Sequence, residues 1–206
     1  TLQPSQRGNF ASDIGRLWSI PTYRYLTFGA TLASMGAYAV LSWTPPLLLR
    51  DYELTTAAVG TALALCNGVI GGLGTFGGGW LGDRAARKAA RGPFYALTLV
   101  CLAAAFLFYL SWMGPHWAMV QSVAPASTRA TASAFILFIL NLVGLGLGPL
   151  AIGIMSDAFQ AAGMEAPLRI AMMVGSGVFP IAALCFWRAG HVFSPELGKE
   201  GLQTSP

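Results

Sequence analysis

Charge is what this sequence has least of: Asp, Glu, Lys and Arg together make up 10% of its residues. A soluble domain carries about 25%, because it needs a charged shell over its core. Twelve basic and eight acidic residues cannot cover a 206-residue chain, so a soluble globular fold is excluded. Cysteine is also scarce. Cys66, Cys101 and Cys185 all lie in apolar stretches. An odd number without ligand spacing argues against both a disulfide framework and a metal site, and they read as small apolar residues. Period-two alternation is absent, which excludes a membrane β-barrel. A signal-peptide pattern is absent too; the chain opens on Thr1 and reads as a piece of a longer protein. No catalytic constellation is present. Asp83 and Asp157 lie in different connections, with no Ser or His placed to complete a triad. Gly71-Gly72-Leu73-Gly74 lacks the Lys-Ser or Lys-Thr of a phosphate loop. Neither an enzyme, a metal nor a cofactor is expected. The net charge of +4 forms no basic stripe on a polar face, which speaks against a nucleic-acid partner.

What is there is apolar length. Hydrophobic residues make up 55% of the chain, and five windows, 25–49, 54–82, 92–128, 130–156 and 170–187, contain no charge at all. About 20 apolar residues in a helix span a bilayer. Backbone groups in lipid must pair within the segment, which leaves the helix as the spanning form. The partner implied by composition is therefore the bilayer itself. Residues 1–24 read as a cytoplasmic amphipathic lead-in, with Leu17, Trp18 and Tyr23 suited to the interface. Residues 25–190 form the membrane domain, and 191–206 a cytoplasmic polar tail.

The connections are short. Thr44-Pro45-Pro46 is expected to break the first helix, since proline lacks an N–H and clashes one turn back. Residues 50–53 make a polar turn, 83–91 a basic loop and 157–169 a longer polar link. Ser127 or Thr128 is placed to cap the fourth helix. Basic residues favour the cytoplasmic side. Arg7, Arg16 and Arg24 thus share a side with Arg84, Arg87, Lys88 and Arg91, opposite Arg50. Window 92–128 is long for one crossing and short for two. Two crossings leave ten basic residues inside against two outside, and one crossing leaves eight against four. The charge rule prefers two and length prefers one, with Met113-Gly114-Pro115-His116 as the place for a break. The count leaves both open.

The run Gly79-Trp80-Leu81-Gly82-Asp83-Arg84-Ala85-Ala86-Arg87-Lys88 resembles the loop motif of the major facilitator superfamily, roughly G-x-L-[GA]-D-R-x-G-[RK]-[RK]. Ala86 stands where that motif has glycine. The resemblance implies a cytoplasmic gate formed by Gly79, Leu81, Gly82, Asp83, Arg84, Arg87 and Lys88. A carboxylate at Asp83 would face the positive end of a neighbouring helix, an attraction of about 0.3–1 kcal/mol when exposed and up to ~2 when partly buried. Arg84 and Arg87 would pair with acids of an opposing half. The bland alternative is a basic anchor that only sets topology.

A second stretch is narrower. Residues 125–134, Asn141 to Pro149, Gly153 and Ser156-Asp157 resemble the loop between helices ten and eleven, and helix eleven, of spinster-like transporters. Trp43-Thr44-Pro45 with Arg50 resembles the outer end of their helix seven. The likeness runs from about Leu17 to Asp157. It implies an all-α membrane fold of five or six spans, the C-terminal half of a twelve-helix transporter of the cell (inner or plasma) membrane. It also implies an N-terminal six-helix half as partner and a small amphipathic, lipid-like solute moved by alternating access. A drug or sugar-type facilitator of the same fold, or a truncated fragment that does not transport, are the alternatives. In that family two helices separate the two loops, where this chain offers only 92–128. No Asp or Glu lies within an apolar window, so no ion-coupling residue is assigned.

Polar residues inside spans are costly in lipid and belong toward a bundle interior. Tyr38, Asn67 and Asn141 are the candidates to face a central cavity, with simple interhelical hydrogen bonds as the alternative. Trp43 reads as an interfacial anchor and His116 as a structural residue. Gly68 and Gly72, Gly74 and Gly78, and Gly144 and Gly148 are each four apart, a spacing that lets helix backbones approach closely. Gly144, Gly148 and Pro149 also form a G-x-x-x-G-P run, which is expected to let its helix pack and bend.

Overall fold

The computed structural model describes residues 10–88, 98 and 113–193. Among them there is no strand. The helices are α1 (Phe10–Ser19), α2 (Pro21–Asp51), α3 (Thr56–Ala64), α4 (Gly71–Lys88), α5 (Met113–Val123), α6 (Arg129–Ile139), α7 (Gly146–Ala161), α8 (Pro167–Gly175) and α9 (Val178–Val192). A π-helical segment, Leu65–Ile70, joins α3 to α4, and another, Leu140–Leu145, joins α6 to α7. Four continuous runs are long and apolar enough to cross a bilayer: Pro21–Asp51, Thr56–Ala85, Arg129–Ala161 and Pro167–Val192. This is the fabric of a multi-pass membrane protein. Most of window 92–128 lies outside the described residues, Cys101 included. Its end forms α5 and a 3-10 turn at Ala126–Thr128.

Several expected boundaries shift. Pro45 and Pro46 lie inside α2, which continues to Asp51. The prolines remove the donors that the Leu41 and Ser42 carbonyls would take in an α-helix, and the helix continues through them; Thr44 Oγ1 donates to the Val40 carbonyl at 2.6 Å. The helix starts at Pro21, whose fixed φ suits a first turn, so Tyr23 and Arg24 belong to it. Leu17 and Tyr23 are fully buried rather than interfacial, and Tyr23 donates its hydroxyl to the Ala132 carbonyl at 3.1 Å. Only Trp18 keeps an exposed face, edge-on to Phe28 and Phe135. The motif segment is helical through Lys88 rather than a loop from Asp83. The fourth helix has no side-chain cap, because Thr128 turns its hydroxyl back to the Pro125 carbonyl. The 157–169 link shrinks to five residues, since α7 runs to Ala161 and α8 begins at Pro167.

Order along α2 sets the arrangement. Moving up α2, Tyr23 meets Ala132, Ser34 meets Leu140, Tyr38 meets Asn141 and Trp43 meets Pro149. Both numbers rise together, so α2 and the α6–α7 span are parallel. Gly29 faces Phe186 while Gly36 faces Val178 and Phe179. Here one number falls as the other rises, so α9 is antiparallel to α2. One buried cluster gathers Leu17, Tyr23, Leu26, Met119, Val123, Ile136 and Phe186, with Leu81 packed against it. The start of α2, the end of α4, the end of α5, the start of α6 and the end of α9 therefore share one end of the bundle. A smaller cluster of Ala39, Ile152, Leu168 and Ala171 occupies the other end.

This bears on the fork that charge counting leaves open. The end of α4 and the start of α6 lie at the same end of the bundle, as two crossings of window 92–128 require, while most of that window lies outside the described residues. Arg16, Arg24, Arg84, Arg87, Arg129 and Arg188 lie at that end, against Arg50 and Arg169 at the other, in the asymmetry expected of a cytoplasmic face. Single cysteines test it in a background lacking the native three. Ser127→Cys is expected to share with Ser19→Cys its protection from an impermeant thiol reagent in intact cells, while Gly163→Cys labels. Labelling of Ser127→Cys with protection of Gly163→Cys would reverse the assignment of the α6–α7 span.

Candidate functional site

The motif occupies the last three turns of α4. Gly79 and Leu81 are half-buried, and Leu81 reaches the core cluster; Asp83, Arg84 and Arg87 are exposed. Gly82 and Lys88 complete the run within the same helix. The Arg84 guanidinium lies over the Trp80 ring, 5.5 Å from its centroid, a cation–π contact that fixes the long side chain. Asp83 borders an open hollow of about 420 Å³ with Thr75, Phe76, Gly79 and Trp80. Phe76 and Trp80 are 84% and 60% exposed. The motif thus presents an apolar shelf with a carboxylate at its rim.

Mid-span, the fold brings Tyr38 and Asn141 together. The Tyr38 hydroxyl donates to Asn141 Oδ1 at 3.4 Å, and Asn141 Nδ2 donates to the Leu137 carbonyl at 2.8 Å. The chain of donors orients the carboxamide: a carbonyl only accepts, so the NH₂ must face Leu137 and the oxygen must face Tyr38. Asn67 belongs to a different span and donates to the Leu63 carbonyl at 3.0 Å.

Beside this pair the two parallel spans come into close contact. A Cβ on Gly148 would collide with the Met35 carbonyl, and one on Gly144 with the Ser34 hydroxyl. Close approach of this kind is what small residues in membrane helices permit. Pro149 lies inside α7, and its carbonyl accepts from Trp43 Nε1 at 2.8 Å. Trp43 is thus half-buried between spans, with Gly153 making room for its ring at 3.1 Å, and not a simple interfacial anchor. Gly68 and Gly72 meet nothing within 4 Å among the described residues, so the close contact expected of that pair is not found there.

This arrangement has known counterparts. A bacterial homolog of the human lysosomal transporter Spinster, in an inward-facing, unoccupied conformation, matches 95% of this chain with a TM-score of 0.75 at 20% identity, over 54% of its own chain. The occupied conformation matches 87% with a TM-score of 0.69 at 21% identity, over 52% of its chain. The fold is that of about half of these transporters. In sequence, an MFS-type efflux pump of Mycolicibacterium smegmatis (strain ATCC 700084 / mc(2)155) is 27% identical over 212 residues, which covers 90% of this chain and 49% of that protein. The chain thus spans about half the length of the curated relative it matches. No family model matches it.

Within this half-transporter fold, three features escape a reading of the sequence. Gly29 and Gly36 seat the rings of Phe186 and Phe179 against α2; their seven-residue spacing on one face is the signal that could reveal them. At the end of the bundle away from the larger cluster, Arg169 pairs with Asp51 at 3.6 Å and lies over the Tyr52 ring, joining the start of α8 to the end of α2, far apart in sequence. The π segments have no composition signal beyond one asparagine each. His116 is fully buried and stacks against Trp117 and Phe186. Glycine packing gives a direct check. Gly148→Ala, which meets backbone that cannot yield, is expected to cost about 1–3 kcal/mol and to lower the unfolding midpoint in detergent. Gly146→Ala, facing open space among the described residues, is expected to stay within about 0.5 kcal/mol or to gain slightly.

Proposed function

We propose that the chain is the C-terminal half of a secondary transporter of the major-facilitator type. It works by alternating access against an N-terminal six-helix half in the cell membrane. The observation that carries this reading is the fold likeness: nearly the whole chain matches about half of an inward-facing transporter. The relative named as an efflux pump supports it independently from sequence.

The mechanism follows from placement. The basic end of the bundle faces the cytoplasm, so Asp83, Arg84 and Arg87 lie where the two halves meet in the outward-facing state. The apolar shelf of Phe76 and Trp80 seats a helix of the other half, and Asp83 at its rim accepts the positive helix end. Those contacts hold the cytoplasmic side shut and break when it opens. Tyr38 and Asn141 face the central cavity with Asn67, and their hydrogen-bonding atoms meet the polar part of the solute. The spans carry no formal charge in that region, and large apolar side chains such as Leu137, Leu142 and Leu145 flank the pair, which suits an amphipathic, lipid-like molecule. The likeness of residues 125–157 to spinster-like transporters points the same way. The second reading is a drug-efflux facilitator, favoured by the printed name of the Mycolicibacterium relative.

Two measurements separate these readings. In proteoliposomes holding both halves, a fluorescent lysolipid is expected to move faster than cationic dyes of the drug-efflux type; the reverse order supports the efflux facilitator. Asp83→Asn is expected to lower the initial rate about tenfold, which corresponds to ~1.4 kcal/mol, while membrane insertion stays normal. An unchanged rate removes the gate role and leaves the motif as a topology anchor.

A further inference from the structure

The two asparagines among the described residues share one local structure. Asn67 lies in the π segment Leu65–Ile70 and Asn141 in the π segment Leu140–Leu145. Each sits at mid-span, and each donates its carboxamide NH₂ to the carbonyl four residues back, Leu63 and Leu137. A π turn moves backbone donors from the fourth to the fifth preceding carbonyl. In each span the asparagine side chain donates to the carbonyl that its own backbone N–H would take in α register, and so competes with that register; the Leu137 carbonyl also accepts the Leu140 N–H.

The same i−4 bond occurs without any π turn. Thr27, Thr31, Thr44, Thr61 and Thr75 each donate to a carbonyl four back within an ordinary α-helix. The five threonines make this bond with a hydroxyl inside α-helix, and the two asparagines make it with a longer, planar carboxamide inside π segments. Side-chain type and register therefore go together across seven residues in three spans. Register is further read by α2 at one of the two sites. Tyr38 donates to Asn141 Oδ1, and Ser34 Oγ lies 3.5 Å from the Leu140 carbonyl. Both bonds fall on residues of the π segment, so a change of register there is felt directly by α2.

We infer that Asn67 and Asn141 are positioning residues that hold their spans in π register, and that each marks a place where a span exchanges between π and α register. Annealing the turn to α removes one extra residue, which turns the following segment by about 100° and shifts it by about 1.5 Å. At Asn67 the segment that turns carries the Asp83 motif. At Asn141 it carries Gly148 and Pro149, which dock on Met35 and Trp43. The role of this exchange in alternating access rests on the transporter reading, but the exchange itself is measurable without any solute.

The test is a nitroxide scan of the full chain in lipid nanodiscs, with Cys66, Cys101 and Cys185 replaced by alanine. Collision with molecular oxygen is read at successive positions from 130 to 158 and from 57 to 80, omitting 67 and 141. In the parent protein the 3.6-residue periodicity of accessibility is expected to jump in phase by about 100° across each π segment. Asn141→Leu is expected to abolish the jump in its own span and leave the other intact, and Asn67→Leu to do the converse. Asn141→Ser and Asn67→Ser, whose hydroxyls resemble the five threonines, are expected to behave as the leucine variants do and guard against a folding failure. Phase jumps that persist in the leucine and serine variants overturn the inference, whatever the outcome of any transport assay.

Discussion

The close approach of α2 to the α6–α7 span is the contact on which the rest of the arrangement depends. Lipid offers no hydrophobic drive for helices to associate, so packing and hydrogen bonds between them must hold the bundle. Gly148 lets the Met35 backbone come into contact, Gly144 does the same for Ser34, and Trp43 closes the upper end on the Pro149 carbonyl. With that pair set parallel, the antiparallel α9 fits the opposite face of α2 through Gly29 and Gly36. A helix with a side chain at any of these positions would stand off by the width of that side chain, and the polar contacts along α2 would be lost together.

Those polar contacts are also where a moving structure has its options. The Tyr38–Asn141 bond is mid-span, lies on an exposed part of Asn141 and belongs to a segment with π geometry. The parts of α6–α7 above and below it are fastened to α2 by backbone contact and by Tyr23, while the π turn between them is held by side chains. Rigid ends with a side-chain-held turn between them give a span that can change register locally without leaving its partner. The motif at the end of α4 is built differently. Its apolar shelf and carboxylate face away from the core.

Much of this was legible in the residues. Hydropathy alone places four of the spans, because uninterrupted apolar length has one physical meaning in lipid. Their ends were harder. Pro45 and Pro46 carry a strong stop signal, yet the helix runs through them to Asp51, in a stretch that Trp43 ties to its neighbour. Leu17 and Tyr23 have the amphipathic character of an interfacial segment, yet a helix docked over α2 and α6 buries the same side chains. The number of crossings between Lys88 and Arg129 was beyond charge counting, since a fork of ten to two against eight to four has no energetic edge over a length argument. Contacts such as Tyr23 with Ala132, 109 residues apart, bring the start of α6 to the end of the bundle that also holds the end of α4. Polar cost in lipid singles out Tyr38 and Asn141, but nothing local says that they meet. The π turns are invisible to periodicity, because one extra residue shifts a helical pattern without ending it.

The parallel pairing of α2 with α6–α7 at mid-span is the central claim, and proximity across it is the measurement that tests it most directly. Tyr38→Cys and Asn141→Cys, combined in a chain without the native cysteines and split by a protease site between the spans, should join under a short bifunctional thiol reagent in native membranes. The account predicts one product at the mass of the joined halves. If both cysteines label readily and the halves stay apart, the two spans do not run side by side in this register, and the half-transporter arrangement built on them is wrong.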